Sequence, residues 1–552
     1  MNQLVNNWTY GEMSPKLAGR FDIALYQQGC EALENFLPMK QGGLTRRPPL
    51  KHVGVSDDSR LFKFTLSNDI SFIIELYADK LSVWGNFDGS FKRAVFIVDA
   101  LEQDYLTTGY TAMEVWEVQY AQYYDRVYFA HYQHKPLILY YAGSSFSLAP
   151  MDITNDADSN FGDTAGAYPG VVSICQNRLW FGATGARPFT LWSSRPYEDF
   201  GSHEDFTTID FATTEVEVMT DIDTWPTKDD GNGNTVYDLS DPDAFVETEV
   251  RTEEIITARC AMEIELSSGR NDRIAWIGGM NNIIVGTESS EWLLPYTINP
   301  IGQSASMQSA HGSEHVQSVI LNNGIFYIQH GNRLREYTAE QPGGSRDHSF
   351  SADHILQSGV RQMISVKNPE PMIMFLLNDG TLVVFIYDQM YQIQAWARWA
   401  TDGEIVSITT RDVSGVGQEI YAVVKRGVDT YLEKFDFSEE LHFIDRYGEA
   451  SNGDLSYVST MVSNRYDFIS EGGVSIGKPK RIREIWVRCL ESGRIRAGIS
   501  ENYMQTSKEP VGSDDYRILI SGGTRRDMRA RIQSVGDEPL TLLAMAYDME
   551  VY

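Results

Sequence analysis

Residues Met372 to Trp399 read MIMFLLNDGTLVVFIYDQMYQIQAWARW. Two apolar runs, Phe375–Leu377 and Leu382–Tyr387, flank Asn378-Asp379-Gly380, and Asp-Gly between such runs is a strong local signal for a β-hairpin. The same unit of strand, tight polar turn and strand recurs at Leu61–Trp84, Arg126–Tyr140, Arg178–Ser194, Ile283–Leu294, Ile325–Tyr337 and Glu419–Phe435. Successive starts lie roughly 40–65 residues apart, apart from one gap of about 105. A period near 50, with about four short strands per unit, predicts an all-β fold whose body is a β-propeller of six or seven blades. The long gap holds an acidic insertion that a simple propeller does not need, and a rigid ring with one acidic projection points to a structural or channel role.

The bulk properties agree with strands and turns. Aromatic residues are 12% of the 552-residue chain, glycine numbers 45, and long helix-like stretches are scarce. No apolar run approaches the roughly 20 residues of a membrane-spanning helix. Met1–Tyr10 lacks a basic segment followed by an apolar one, so no secretory signal is expected. Cys30, Cys175, Cys260 and Cys489 are too scattered for a metal knuckle or a disulfide framework, and reduced thiols are expected. The formal net charge of −30 argues against a protein that grips phosphates along a basic stripe. It does not argue against one that encloses DNA without holding it, because an acidic wall repels the duplex and leaves it free to slide.

Five segments follow from punctuation and charge. Residues 1–55 form an N-terminal arm rich in Gly and Pro, and the near-helical spacing of Ile23, Ala24, Tyr26, Cys30, Leu33 and Phe36 predicts one short helix there. Residues 56–197 and 266–437 are the two parts of the propeller. In the first, Thr111–Tyr124 reads as a strand; in the second, the Ser-rich stretch 298–315 reads as a loop across the ring face. Residues 198–265 are the acidic insertion, with 20 Asp and Glu against 3 Lys and Arg. Thr214–Met219 and Val246–Ile256 alternate like strands, which predicts an extended hairpin or small β subdomain around the polar loop 229–234. Residues 438–552 are a C-terminal β platform domain, with strands at Ile482–Arg488 and Thr541–Tyr547. Its stretch 478–531 is locally basic, with 13 Lys and Arg against 7 Asp and Glu.

Motifs for chemistry are weak. Gly472 to Lys478 satisfies most of a phosphate-binding loop, but Pro479 stands where a Ser or Thr is needed and blocks the helix that cradles phosphate. Asp230-Gly231-Asn232-Gly233-Asn234 starts like a Ca²⁺ loop, yet Thr235 occupies the glycine position and no Glu closes it, so it reads as a plain turn. His131 with His134, and His311 with His315, read as surface histidines on turns and loops. No spacing selects a catalytic set, and no cofactor is expected. Arg525, Arg526, Arg529 and Arg531 form the densest basic cluster, which reads as a salt-bridged interface with an acidic neighbour.

At the N-terminus a resemblance emerges. Gly11-x-x-Ser14-Pro15-x-Leu17-x-Gly19-Arg20-x-Asp22, then Tyr26-x-x-Gly29, Leu33-x-Asn35-Phe36-x-Pro38, Gly42-Gly43 and Arg46-Arg47-Pro48 resemble the opening of tail nozzle proteins of short-tailed bacteriophages, also called tubular tail protein B. Further matches follow in order: Val127-Tyr128-Phe129-Ala130-His131, Gln176-x-Arg178-Leu179-x-Phe181, Leu191-Trp192-Ser193-Ser194, Val285-Gly286-Thr287 and Glu291-Trp292. Two departures stand out. Arg47-Pro48-Pro49 replaces the family's Arg-Pro-Gly, and the acidic region 210–255 lies outside the shared pattern.

The resemblance implies a propeller body with a platform of N- and C-terminal segments and no catalytic residues. It implies a homohexamer below a dodecameric adaptor ring, with tail fibres near the junction, located in the virion tail after assembly in the host bacterial cytoplasm. Such a tube retains packaged double-stranded DNA and conducts it at ejection. On that reading Asp221, Asp223, Asp229, Asp230, Asp238, Asp241 and Asp243 line the channel, while Arg20, Arg46, Arg47, Arg525, Arg526, Arg529 and Arg531 meet the adaptor. The alternative is a β-propeller enzyme that degrades polysaccharide, a tailspike in its phage form, binding sugar on exposed aromatics with two carboxylates about 5–9 Å apart.

Overall fold

The computed structural model describes the chain except for residues 1, 21, 99–100, 157–158, 160, 220–223, 239, 241–245, 267–268, 270, 281, 296–299, 301–303, 339–343, 439–441, 447–453, 466, 468 and 471–472. Seven antiparallel sheets, each built on a run of four paired strands, succeed one another along it; the first adds a short fifth strand and the last two continue into larger sheets. Their first strands are Arg60–Thr65, Gln119–Tyr123, Pro169–Cys175, Ile274–Gly279, Val319–Leu321, Val360–Val366 and Glu404–Val413. The quoted hairpin forms the second and third strands of the sixth sheet, Met372–Leu377 and Leu382–Asp388. Gly380 at its turn has φ +81° and Asp379 accepts the Thr381 N–H at 3.0 Å, so the residue types set the turn.

The core is divided into packets, one between each pair of neighbouring sheets. Phe72, Ile74 and Leu76 of the first sheet pack on Val127, Phe129 and Leu139 of the second. Their chain neighbour Ile73 faces the other way, onto Val406, Tyr421 and Val423 of the seventh. That last packet closes a ring. Strand pairing also staggers the closure: the fourth strand of the seventh sheet is Leu50–Val55, from before the first, and it hydrogen-bonds to Asp429–Phe435. The ring is a seven-bladed β-propeller. Because every blade is covered on both faces, its strands read as continuous apolar runs rather than alternating ones.

Both chain ends build a β-sandwich beside the ring. One sheet joins Asn2–Val5, Phe36–Pro38, Leu44–Arg46, Lys480–Leu490, Asp515–Leu519 and Thr541–Val551. The other continues the outer edge of the sixth blade: Ile393–Trp399 pairs in parallel with Gly11–Glu12 and touches Gly29–Glu34, followed by Thr460–Ser463, Arg531–Ser534, Ile495–Ser500 and Tyr503–Thr506. Their facing sides share one core that includes Trp8, Leu33, Phe36, Ile485, Ile532 and Met545. Lys480–Leu490 and Thr541–Val551 alternate between buried and solvated positions, as strands covered on one face must.

Three local expectations differ. The helix within 23–36 is a single turn, Ala24–Gln27, and Gly29–Glu34 is a strand. A register shift between Cys30 and Ala32 brings Cys30 and Leu33, three residues apart, into the same core, which mimics helical spacing. Thr111–Tyr124 splits into a 3₁₀ turn at Glu114–Trp116 and a strand from Gln119, because Thr111 and Glu114 cap each other's backbone. Within 298–315, Ser306–Ser309 is the fourth strand of the fourth blade.

Candidate functional site

The seven first strands surround a channel of about 530 Å³. Glutamines tie the inner strands together, mostly between blades that are not neighbours in the ring. Gln119 donates to Ala275 O at 2.7 Å, Gln317 to Tyr120 O at 2.7 Å, and Gln362 to Leu61 O and Ile408 O at 3.1 and 2.8 Å. An amide suits this position because it both donates and accepts. The charged lining is cationic in a chain that is otherwise acidic: Arg60, Lys63, Arg361 and Lys367 against Glu117.

Arg60 is buried and spends its Nη1 on the carbonyls of Val115, Trp116 and Val118 at 2.7–3.1 Å. Burial pushes its pKa down to about 10, which still leaves it charged at neutral pH. Lys63 is offset by Asp412 at 2.6 Å, and Arg361 lies 3.4 Å over the Trp116 ring. His315 is exposed to the channel water yet ringed by its walls. That enclosure, followed by Arg273, lowers its pKa. A cavity of this size suits a small anionic group. It is too small to admit a nucleic-acid duplex.

The acidic insertion leaves the third blade between its third and fourth strands, Thr190–Ser193 and Met262–Glu265. Asp210–Met219 and Val246–Ile255 pair over ten residues as a two-stranded ribbon. A second hairpin pairs Thr227–Asp229 with Thr235–Tyr237. Asp229, Asp230 and Asp238 are brought together on this hairpin. Asp229 and Asp230 accept backbone N–H groups of the turn, which is an Asx arrangement rather than a cation cage. The Ser240 hydroxyl and the Lys228 ammonium hold the Asp238 carboxyl at about 2. Asp221, Asp223, Asp241 and Asp243 lie outside the described residues.

The arginines expected at a docking surface separate into two groups. Arg46 and Arg47 are corrected: both are buried at the joint between sandwich and ring, so neither reaches a partner. Arg46 donates to the carbonyls of Gly536, Glu538 and Tyr457, and Arg47 pairs with Asp445. Arg20 pairs with Asp22, Arg529 with Glu31 and Asp527, and Arg531 with Glu501. Arg525 lies over Tyr503, and Arg525 and Arg526 are exposed. The local basicity of 478–531 is largely paired with carboxylates of the sandwich's own exposed surface, for example in Arg483–Glu550, Arg488–Asp515, Arg494–Glu538 and Arg517–Glu484.

Among the described residues, one group has the make-up of a metal site: Glu114, His131 and His134. His131 is 1% exposed, which corrects its reading as a surface histidine. The signal was present in sequence as His131-x-x-His134 across a two-residue turn. The carboxylate that completes the set lies 17 residues upstream of His131, so only the fold pairs them.

No family model matches the chain, and no curated protein does. Solved structures are similar in fold. YCF48 bound to D1 peptide is 8% identical at a TM-score of 0.36, covering 71% of this chain and 97% of that one. The Pan2 WD40 domain of Neurospora crassa is 9% identical at 0.36, covering 72% and 98%. BamB from Moraxella catarrhalis is 11% identical at 0.32, covering 71% and 99%.

Proposed function

We propose that this chain is a structural virion protein, the nozzle subunit at the distal end of a short phage tail. Six copies enclose a DNA channel below a twelve-subunit adaptor, retain the packaged genome and conduct it at ejection, with tail fibres attached near the adaptor junction. The reading rests on the ordered series of motifs from Gly11 to Trp292 and on the exposed acidic ribbon and sandwich face.

The observation that carries it is the acidic ribbon. Its described side chains are largely exposed along both strands, so they contribute little to the stability of their own chain. Six insertions, each with 20 acidic against 3 basic residues, would gather on the order of 100 negative charges around one axis, a wall that a duplex passes without adhering. The outer face of the sandwich adds a second contact surface, with Leu4, Trp486 and Leu519 exposed at 62%, 42% and 62%. Adaptor docking then falls to the exposed Arg525 and Arg526. The chain is mixed with adaptor rings and examined by native mass spectrometry and negative-stain imaging. Six copies per ring in a coaxial tube support the proposal; chains that stay monomeric beside the adaptor, or that depolymerise capsular polysaccharide, refute it.

A further inference from the structure

We propose that Glu114, His131 and His134 form a binding site for a divalent transition-metal ion, Zn²⁺ in the first instance, on the rim of the second blade. The three residues come from two places that the fold brings together. Glu114 begins the 3₁₀ turn that leads into the blade, and His131 and His134 face each other across the turn between the second and third strands, Arg126–His131 and His134–Tyr141. One ligand atom from each lies within 4.8 Å of the other two.

The details favour a metal over a simple ion pair. His134 Nε2 is 3.1 Å from Glu114 Oε2, yet it is sealed from solvent and misaligned for a hydrogen bond. A histidine nitrogen and a carboxylate oxygen converging at this spacing are placed as two ligands of one cation are. The Tyr110 hydroxyl is a second buried polar atom without a hydrogen-bond partner, and its ring packs edge-on 4.9 Å from His134 and 6.0 Å from His131. Buried polar groups left unmet in a native fold require a cause, and an ion or its bound water supplies one.

The surrounding shell is already ordered. The Glu114 carboxylate accepts the Thr111 N–H at 2.8 Å, which fixes its direction. Glu117 stands behind His131, 3.4 Å from Nε2, as carboxylates stand behind ligating histidines. The His131 Nδ1 accepts the Gln133 N–H at 3.3 Å, a long bond that an ion at that nitrogen would displace. Two histidines and one carboxylate leave a fourth position for water, the donor set of a three-ligand zinc site. The bound ion would clip the turn at Glu114–Trp116 to the blade rim, and Trp116 and Glu117 in turn line the central channel.

The test uses the tag-free full chain, dialysed against chelator and titrated with Zn²⁺ by calorimetry and with Co²⁺ by visible absorption. The expected result is one equivalent of each ion, with d–d bands of a four- or five-coordinate Co²⁺ site. His134→Ala and Glu114→Gln, both at partly exposed positions, should weaken Zn²⁺ binding at least tenfold while leaving the metal-free melting temperature within a few degrees. Should either variant fail to fold, Glu117→Gln provides the independent arm, with an expected severalfold loss from the supporting shell. Absence of stoichiometric binding, or binding that these substitutions leave unchanged, overturns the site.

Discussion

Replacing Arg47 with alanine should undock the sandwich from the ring, and the size of the effect follows from what the guanidinium holds. All five of its N–H groups are spent: Nε on Asn35 Oδ1 at 2.9 Å, Nη1 on Pro48 O and Asp445 Oδ1 at 2.9 and 3.0 Å, and Nη2 on Ala400 O and Asp445 Oδ2 at 2.8 and 2.6 Å. Its face lies 3.6 Å over Tyr457, and both members of the ion pair are 1% exposed. Removing one partner leaves a buried carboxylate uncompensated, a loss of about 3–5 kcal/mol. Arg47→Lys keeps the charge but cannot satisfy the fork of acceptors, so it should lose roughly 1–3 kcal/mol.

The assay is native-state hydrogen exchange at the strands of the joint, Leu44–Arg46, Leu50–Val55 and Thr541–Val551. A local opening free energy is well defined there even when a chain of this size does not unfold in one step. Arg47→Met combined with Asp445→Leu should be less damaging than the sum of the two single changes, since no buried charge then remains. Protection within about 1 kcal/mol of the parent in Arg47→Ala, or strict additivity in the double variant, would refute the reasoning.

Three further outcomes are expected. His203 is fully buried with Nε2 donating to Asn177 O and Nδ1 accepting from Tyr128, and burial pushes its pKa down to about 4. The stability it contributes is therefore complete above about pH 6.5 and falls by roughly 3 kcal/mol as pH drops toward 4, whereas His203→Gln should flatten that dependence in urea titrations from pH 4 to 7. Gly11→Ala should break the parallel join to the sixth blade: at φ +60° the left-handed conformation alone costs about 1–2 kcal/mol, and a Cβ there would sit 2.2 Å from Trp396 O. Unchanged exchange protection at Trp396 would contradict this. Deleting residues 210–255 across a short Gly-Ser bridge should leave the melting temperature within about 2 °C, because exposed positions contribute little, while assembly with the adaptor or DNA retention is lost; a body that no longer folds would show the ribbon to be structural.

The repeating hairpins were legible from residue order alone, since the Asp-Gly and Asn-rich turns and doubly buried strands are local features. Met372–Leu377 announces a blade wherever it sits, and the acidic ribbon was visible from its alternation at Thr214–Met219. Blade number was not legible, because the seventh blade takes its last strand, Leu50–Val55, from the opposite end of the sequence. The channel lining was hidden for the same reason: Arg60, His315 and Arg361 meet only when the ring closes. Charge was the most misleading local signal. Residues 478–531 look basic in sequence, but strand pairing sets their arginines opposite carboxylates such as Asp515 and Glu550. Arg46 and Arg47 look like surface cations until the two termini fold over them. Composition and periodicity decided that this chain forms strands and turns, because those preferences act within a few residues. Which charges remain outside, which histidines converge and how the ring closes were decided by contacts hundreds of residues apart, which only the packed structure brings within a few ångströms.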